Sequence, residues 1–339
     1  MIYKPKRIFI EEKALNYEMG KRLYDFFSKE KTDVKILKNN KVTGIPGKTP
    51  AESFVEGKNS IAIRVRKKGE FQTCKPSAHY QLPLFSGCAG KCEYCYLNTR
   101  FGNKPYNTIY ANVDEILETA KGYIKERGNE VTLFEAAATS DPIPLDYYSK
   151  SLKKAIEFFA NEEHGRLRFV TKFPQIEDYL EIDHKGHTTI RFSLNTQDVI
   201  KKYEHATSSA EERIKASKKI ITAGYHMGFI IGPVILYENW KEAYLKLLKD
   251  TKEELGKFSD NTIHFEVISH RFTASAKKQI LKVFPTTSLP MDEEDRKFKY
   301  GQFGYGKYVY PKEQLNEMKE FFQENILSLF SGAEIDYII

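Results

Sequence analysis

Cysteine is scarce in this chain: there are four among 339 residues, and three of them fall within one stretch of eight residues. Four cysteines are too few to build a disulfide framework in a chain of this length. No run of about 18 apolar residues is present, and the N-terminus lacks the apolar core of a secretory signal. These absences predict a cytoplasmic protein whose clustered cysteines bind metal.

The sequence also lacks internal repeats, low-complexity tracts and the glycine fingerprint of a Rossmann fold. Apolar residues make up 41% of the chain, which is enough for a large core. The formal net charge of +7 favours a polyanionic partner but does not require one.

From about residue 79 onward, apolar segments of strand length alternate with amphipathic helical segments. This alternation is typical of parallel sheets with right-handed crossovers, so we predict an α/β fold, a partial (β/α)6 TIM-like barrel. The predicted strands are 80–85, 131–137, 167–171, 189–194, 228–234 and 262–268. The predicted helices are 113–126, 147–160, 174–180, 210–223 and 240–255.

Three domains are expected. Residues 1–78 predict a small N-terminal α/β extension, with strands at 8–10, 34–37 and 60–65 and a helix at 15–29. Residues 79–296 form the predicted barrel. Residues 297–339 predict a hairpin at 299–310 and a last helix at 311–330.

The cysteine cluster is Cys88-x3-Cys92-x2-Cys95, directly after the first predicted barrel strand. Three thiolates are one fewer than the four that usually hold a [4Fe–4S] cluster, so one iron is left open to a ligand. The amino and carboxylate groups of S-adenosylmethionine are suited to that position, and the cluster's electron would then generate a 5′-deoxyadenosyl radical. The alternative is a zinc site completed by a histidine, for which His79 is the nearest candidate.

The triad and the tyrosine that follows it resemble the radical S-adenosylmethionine superfamily. A narrower resemblance, to the spore photoproduct lyase family, extends over nearly the whole chain. It rests on KPSA at 75–78, GNKPY at 102–106, FEAA at 134–137, TSD at 139–141, LRFVTK at 167–172, HRFT at 270–273 and GKY at 306–308.

That resemblance implies a DNA repair enzyme of sporulating bacteria. It would revert the spore photoproduct, a methylene-bridged thymine dimer, by hydrogen abstraction from C6, β-scission and hydrogen return. Implied partners are double-stranded DNA carrying the lesion and a ferredoxin or flavodoxin as electron donor. No association signal is present, so a monomer is expected. The alternatives are another radical enzyme of this superfamily that modifies RNA or protein, and a zinc-dependent nucleic-acid-binding protein.

The resemblance also assigns roles to residues. Tyr94 and Tyr96 match tyrosines that line the active site and relay a hydrogen atom; packing under the cluster is the alternative. The residues implied to bind S-adenosylmethionine follow successive barrel strands, where side chains point into the barrel mouth. They are Ser140, Lys172, Ser193 and Asn195. Capping of the next helix is the alternative for Ser140 and Asn195.

Candidate DNA-binding residues lie near the C-terminus. His270 and Arg271 are candidates for contact with the lesion or phosphate, or form a structural pair. In the predicted hairpin, Gln302, Phe303 and Lys307 belong to a segment that interleaves aromatics and cations, which suits a wedge that holds a flipped base out of the duplex. Other family members often carry Arg-Tyr where this chain has Gln302-Phe303. Packing of the hairpin on the barrel is the alternative.

The chain departs from the family at the hydrogen donor. Better-known members have a cysteine immediately before the TSD motif, whereas this chain has Ala138. Cys74 stands where those members have serine, and it is the only cysteine outside the cluster. We therefore expect Cys74 to be the catalytic hydrogen donor. Two alternatives are that Ala138 is an introduced replacement, and that Cys74 is an inert buried thiol.

Overall fold

The computed structural model describes residues 2–39, 41–102, 104–300 and 306–339. The chain forms two compact units. The first comprises Met1–Lys91, Arg100–Thr171 and Gln175–Thr189, and the second comprises Cys92–Thr99, Lys172–Pro174 and Ile190–Ile339. None of the helices in the described ranges combines the length and the apolar character needed to cross a membrane.

Seventeen strands and eleven α-helices are assigned within the described residues. The strands are β1 (Arg7–Glu11), β2 (Asp33–Leu37), β3 (Ser60–Arg64), β4 (Thr73–Cys74), β5 (Ala78–Gln81), β6 (Phe85–Ser86), β7 (Lys91–Cys92), β8 (Asn107–Tyr110), β9 (Thr132–Glu135), β10 (Gly165–Thr171), β11 (Thr188–Leu194), β12 (Glu204–His205), β13 (His226–Val234), β14 (Ile263–Ser269), β15 (Lys297–Tyr300), β16 (Gly306–Val309) and β17 (Ala333–Ile338). The helices are α1 (Glu18–Lys29), α2 (Pro50–Lys58), α3 (Leu97–Arg100), α4 (Val113–Glu126), α5 (Ile143–Ser149), α6 (Ser151–Ala160), α7 (Gln197–Tyr203), α8 (Ala210–Thr222), α9 (Trp240–Leu255), α10 (Ala274–Val283) and α11 (Lys312–Leu329).

The first unit contains a five-stranded sheet in the order β2-β1-β3-β8-β6. Its first four strands are parallel, and β6 joins β8 antiparallel. Ile8, Phe9 and Ile10 are all fully buried, as expected of a parallel strand covered on both faces. The predicted strands at 8–10, 34–37 and 60–65 are confirmed. This sheet also positions β6, whose last residue is followed by the cysteine cluster.

Within the described residues, the half-barrel sheet has eight strands, two more than the six predicted. Four of them lie in the first unit: β4, β5, β9 and β10. There β4 pairs antiparallel with β5, and β5, β9 and β10 run parallel. Phe134 on β9 packs against Phe159 on α6 with ring centroids 5.2 Å apart, which joins sheet to helix. The predicted α/β half-barrel is confirmed.

The second unit carries β11, β13, β14 and β17 in that order. The sequence analysis missed β17, which pairs parallel with β14. Phe265 on β14 packs against Phe330, the residue after α11, with ring centroids 5.0 Å apart. The predicted C-terminal hairpin is confirmed in its described parts, since β15 and β16 pair antiparallel.

The first barrel strand differs from its predicted bounds of 80–85. Pairing with β9 involves Tyr80 and Gln81, and then Pro83 interrupts the run because it has no N–H to donate. Phe85 pairs with Ile109 in the other sheet. The predicted strand 80–85 therefore contributes residues to both sheets.

Two helix predictions are wrong. The helix predicted at 147–160 is broken at Lys150, which has a left-handed φ of 60°. The Asp146 carboxylate accepts a hydrogen bond from Leu152 N at 2.7 Å and thereby caps the second helix. The segment predicted as helix 174–180 forms only the short 3-10 turn Glu177–Tyr179.

Candidate active site

Cys88 follows Gly87, whose backbone lies very close to another backbone segment of the first unit. Gly87 has a φ of 85° and donates its N–H to Thr139 O at 2.9 Å. A Cβ at this position would lie 2.7 Å from Tyr106 O, so only glycine fits. Gly90 N then donates to Cys88 Sγ at 3.3 Å. The loop therefore presents Cys88 with its sulfur hydrogen-bonded, a feature common to cluster ligands.

Cys92 and Cys95 belong to the second unit. Cys92 is buried and Cys95 is half-buried, and neither forms a disulfide. Cys95 N donates to Cys92 O at 3.3 Å, and Asn98 Nδ2 donates to the same oxygen at 2.9 Å. Between the two cysteines, Glu93 accepts a hydrogen bond from His205 Nε2 at 2.7 Å if that nitrogen carries the proton. This loop is therefore fixed on both sides of Cys92.

Ser140 lies beside Gly87, with which it forms a parallel bridge. It is 8% exposed, and its Oγ is buried without a hydrogen-bond partner among the described residues. An unsatisfied buried hydroxyl costs free energy unless a ligand or water pairs with it. Ser140 therefore fits a residue that binds a polar cofactor, as the sequence analysis expects.

Lys172 is held in a buried polar network of the second unit. Its Nζ donates to Glu204 Oε1 at 2.8 Å, to Ser193 Oγ at 3.0 Å and to Tyr94 Oη at 3.2 Å. The Tyr94 hydroxyl in turn donates to Glu204. On its other oxygen, Glu204 accepts from Arg213 at 2.7 Å. The network thus joins two of the predicted cofactor-binding residues with one of the predicted tyrosines.

The sequence analysis missed Glu204 and Arg213, although both side chains are fully buried. Burial alone would raise the pKa of Glu204, but the charges of Lys172 and Arg213 outweigh it and lower that pKa to about 2. Glu204 is therefore an anion at neutral pH. No motif surrounds either residue, and their contacts exist only once the chain has folded.

Asn195 is fully buried, and protein groups satisfy its amide. Its Nδ2 donates to Pro233 O at 2.9 Å, and its Oδ1 accepts from Tyr244 Oη at 2.7 Å and from Thr196 N at 3.0 Å. The adjacent Thr196 caps α7 by accepting from Val199 N. This geometry favours a structural role for Asn195.

The two tyrosines of the cluster loop have different environments. Tyr94 is half-buried, and burial followed by the nearby charge of Glu204 raises its pKa well above the ordinary value. Tyr96 is 59% exposed. Tyr94 therefore remains protonated at neutral pH, and its hydroxyl hydrogen is directed towards Glu204.

Cys74 is half-buried at the end of β4, opposite Ala78 on β5. The loop between them is tied to the strand that leads to Ala138. Ser77 Oγ donates to Glu135 Oε2 at 3.2 Å, and Glu135 Oε1 accepts from Ala137 N at 3.1 Å. One buried carboxylate thus connects the segment that carries Cys74 to the segment that carries Ala138.

His270 lies in the interior. It is 2% exposed, and Arg296 NH1 donates to its carbonyl oxygen at 2.9 Å. Burial and the charge of Arg296 lower the pKa of His270 to about 3, so its ring is neutral. These observations favour the structural alternative for His270.

The described parts of the hairpin carry several cations. Lys307 on β16 is half-buried and lies directly opposite Lys299 on β15. Burial, followed by the charges of Arg271 and Lys299, lowers the pKa of Lys307. Arg271 is half-buried. Gln302 and Phe303, predicted to contact the lesion, lie outside the described residues.

The parallel half-barrel and the three-cysteine loop after its first strand fit the class that the sequence predicts, the radical S-adenosylmethionine enzymes. The family model described as spore photoproduct lyase matches residues 3–339. Among curated relatives, spore photoproduct lyase of Clostridium acetobutylicum is 55% identical and that of Bacillus subtilis is 42% identical, each over 98% of both chains. The chain therefore belongs to the spore photoproduct lyase family, and the zinc-protein alternative is dropped.

Solved structures of spore photoproduct lyase agree over 100% of both chains. One, complexed with dinucleoside spore photoproduct, has a TM-score of 0.96 and 41% identity. Another, with the same TM-score and identity, contains bound AdoMet and dinucleoside spore photoproduct. That protein is a mutant in which one cysteine is replaced by alanine and one serine by cysteine.

Proposed function

We propose that this chain repairs the spore photoproduct in DNA, converting the methylene-bridged dimer into two thymines by a radical reaction that depends on S-adenosylmethionine. The observation that carries the proposal is the full-length match to the family together with the Cys88-x3-Cys92-x2-Cys95 loop. This match favours the lyase over the alternative, another radical enzyme acting on RNA or protein.

We propose that Cys88, Cys92 and Cys95 hold a [4Fe–4S] cluster, which with S-adenosylmethionine supplies a 5′-deoxyadenosyl radical when both are bound. Ser140 offers an unpaired hydroxyl to the nucleotide. The ammonium of Lys172 is suited to its carboxylate, with Ser193 beside it. Asn195 supports these nucleotide-binding residues, because its amide nitrogen donates a hydrogen bond to the Pro233 carbonyl oxygen.

Cys74 is the proposed hydrogen donor. Its S–H bond breaks, and a C–H bond forms on the thymine radical. The thiyl radical left on Cys74 would regain a hydrogen atom through the hydroxyls of Tyr94 and Tyr96, and the last tyrosyl radical would take one from the 5′-deoxyadenosine that holds the hydrogen removed from C6. Support comes from the AdoMet-bound mutant, whose two substituted positions are 64 residues apart in sequence, as Cys74 and Ala138 are here. The two kinds of replacement in that mutant, cysteine to alanine and serine to cysteine, match the two departures from the family that the resemblance implies at Ala138 and Cys74.

The proposed DNA contacts are Arg271 and residues of the C-terminal segment 297–339, with the barrel of 79–296 carrying the chemistry and 1–78 supporting the cluster loop. Lys307 and Arg271 bind phosphate, and Gln302 and Phe303 form the wedge. His270 has a supporting role in this proposal, because it is buried and its carbonyl oxygen accepts a hydrogen bond from Arg296. A ferredoxin or flavodoxin is the proposed electron donor, and we propose that the chain acts as a monomer.

The test is a repair assay under anaerobic conditions. The purified chain, reconstituted with iron and sulfide, is incubated with S-adenosylmethionine, dithionite and dinucleoside spore photoproduct, and thymidylyl-thymidine is measured. We expect repair by the wild type and none by Cys92→Ser. A brown protein that cleaves S-adenosylmethionine but leaves the lesion intact would contradict the substrate; a colourless zinc protein would contradict the class.

A further inference from the structure

A lysine is completely buried next to the cysteine cluster. Lys58, the last residue of α2, is 1% exposed. Its Nζ donates a hydrogen bond to the carbonyl oxygen of Cys88 at 2.9 Å. A lysine is almost never fully buried unless its charge is compensated, so this position requires an explanation.

No carboxylate in the part of the chain that the structure describes forms an ion pair with that ammonium. Within the described residues, no Asp or Glu oxygen lies within 4 Å of Lys58 Nζ, and its other close contact is the Phe54 ring, 5.4 Å away at the centroid. Glu56 on the same helix pairs instead with Lys6 and Arg7. Removing an ammonium from water is strongly unfavourable unless attraction to a nearby anion offsets the loss of hydration. The folded chain therefore places a positive charge where a negative group must bind.

The lysine is also held firmly in place. Its own carbonyl oxygen accepts hydrogen bonds from Tyr3 Oη at 2.8 Å and from Asn107 Nδ2 at 2.9 Å. The preceding Gly57 packs so closely that a Cβ there would lie 2.9 Å from the backbone of Lys104 and Pro105. The backbone of Lys58 is therefore fixed, and the hydrogen bond to the Cys88 carbonyl oxygen holds its buried ammonium against that loop.

We propose that Lys58 sets the reduction potential of the iron–sulfur cluster, by placing one fixed positive charge against the loop of its first ligand. This rests on the proposed function, in which Cys88 is a cluster ligand. Three thiolates give such a cluster a net negative charge, and reduction adds one more negative unit. A nearby buried cation therefore stabilises the reduced state more than the oxidised state, which raises the potential.

The negative charge of the cluster accounts for the burial of Lys58. The cluster supplies the anion that the protein does not, and the Cys88 carbonyl orients the ammonium towards that loop. The position at the last turn of α2 adds a favourable interaction with the helix dipole. Lys58 thus acts through charge on the cluster, as a positioning and tuning residue without contact to substrate.

The test is an anaerobic redox titration of the reconstituted protein, with the reduced cluster followed by electron paramagnetic resonance. Lys58→Met removes both charge and hydrogen bond. Lys58→Gln removes the charge but keeps a donor for the Cys88 carbonyl, and it is the deciding variant if Lys58→Met does not fold. Lys48→Met is the matched control, because it removes the same charge from an exposed position ahead of the same helix.

We expect both Lys58 variants to shift the midpoint potential to more negative values, and Lys48→Met to leave it unchanged. A wild-type potential in a folded Lys58→Gln protein would overturn the proposal while leaving the cluster itself intact. Failure of the wild type to show a four-iron signal would instead contradict the proposed function. Equal shifts in Lys58→Gln and Lys48→Met would also overturn it, since net charge alone would then suffice.

Discussion

The side chain of Glu204 in the second unit has no solvent exposure and yet is an anion. Three donors converge on it: the Lys172 ammonium, the Arg213 guanidinium and the Tyr94 hydroxyl. Two cations around one carboxylate leave an excess of one positive charge in this network. That excess suits the binding of the anionic carboxylate of S-adenosylmethionine.

Replacing Glu204 by Gln should destabilise the fold strongly. Both cations would remain buried with no anion, and breaking a buried ion pair in this way costs on the order of 3 kcal/mol. The measurement is the free energy of unfolding in urea at pH 7. Glu211→Gln is the control, because Glu211 is exposed and its pair with Lys215 contributes little.

The pH dependence gives a second readout of Glu204. Its folded pKa of about 2 lies below its ordinary value of 4.5, so its contribution to stability is fully present above pH 4.5. The contribution is lost as the pH falls from 4.5 towards 2. The stability difference between the wild type and Glu204→Gln should therefore shrink across this range. A difference that stays constant down to pH 2.5 would contradict the ionised state.

Cys74 should be essential for product formation. In Cys74→Ala no S–H bond is available to the thymine radical, so the yield of repaired thymine should fall on the order of tenfold or more, with radical adducts in its place. The double variant Cys74→Ala/Ala138→Cys should recover repair, because it restores the donor position of other family members. Unchanged yield in the single variant would show that Cys74 is not the donor.

At the scale of elements, α8 presents Arg213 to this network from its first turns. Ser209 Oγ accepts a hydrogen bond from Glu212 N at 3.2 Å, and Glu212 Oε2 accepts from Ser209 N at 2.8 Å. This capping box satisfies backbone donors that the helix itself leaves unpaired. The start of α8 is therefore fixed one turn before Arg213.

Ser209→Ala should cost about 1 kcal/mol of stability, because the cap is lost. Ser209→Thr keeps an acceptor oxygen and should stay close to the wild type. Urea unfolding of both variants measures the difference. A loss in Ser209→Thr as large as that in Ser209→Ala would assign the effect to something other than the cap.

Elements with strong periodicity could be predicted to the residue from the sequence. Both α4 and α9 have the predicted bounds, since each carries an uninterrupted amphipathic pattern. The break at Lys150 could not be foreseen, because it depends on where the Asp146 carboxylate lies after folding. The short strand β17 was missed because its residues pair with residues of β14 that lie 70 or 71 positions earlier in the sequence.

The same distinction holds for the site. The cluster cysteines are identified by their spacing within one loop, whereas the Glu204–Lys172 pair joins residues 32 apart in sequence. Ser140 was identified by its position after a strand, and its unpaired hydroxyl agrees with a binding role. Asn195 has the same kind of position, but its amide bonds to protein groups. The position of a residue at the end of a strand therefore predicts where it lies. Whether that residue binds a cofactor or supports the structure depends on its side-chain partners in the folded chain.

At the scale of the whole molecule, the net charge is +7, and the hairpin contributes a pair of lysines to it. Lys299 and Lys307 face each other directly across the two strands. Like charges in this arrangement destabilise a hairpin unless an anion lies between them. Two exposed aromatics, Phe298 and Tyr300, lie on β15 itself and alternate with Lys299, so they point to the other face of the hairpin. A phosphate anion between Lys299 and Lys307 would relieve the repulsion between these two lysines.

Lys307→Met and Lys299→Met should therefore each weaken binding to DNA and reduce its dependence on salt. Each phosphate contact that is lost removes about 0.9 from the slope of log K against log salt concentration. Fluorescence anisotropy with damaged and undamaged duplexes at several salt concentrations measures the slope, and both duplexes should respond alike because phosphate carries no sequence information. Lys48→Met removes the same unit of net charge far from the hairpin in sequence and should keep the wild-type slope. If it lowered the slope as much as Lys307→Met does, the overall charge would drive binding, and the hairpin would lose its assigned role.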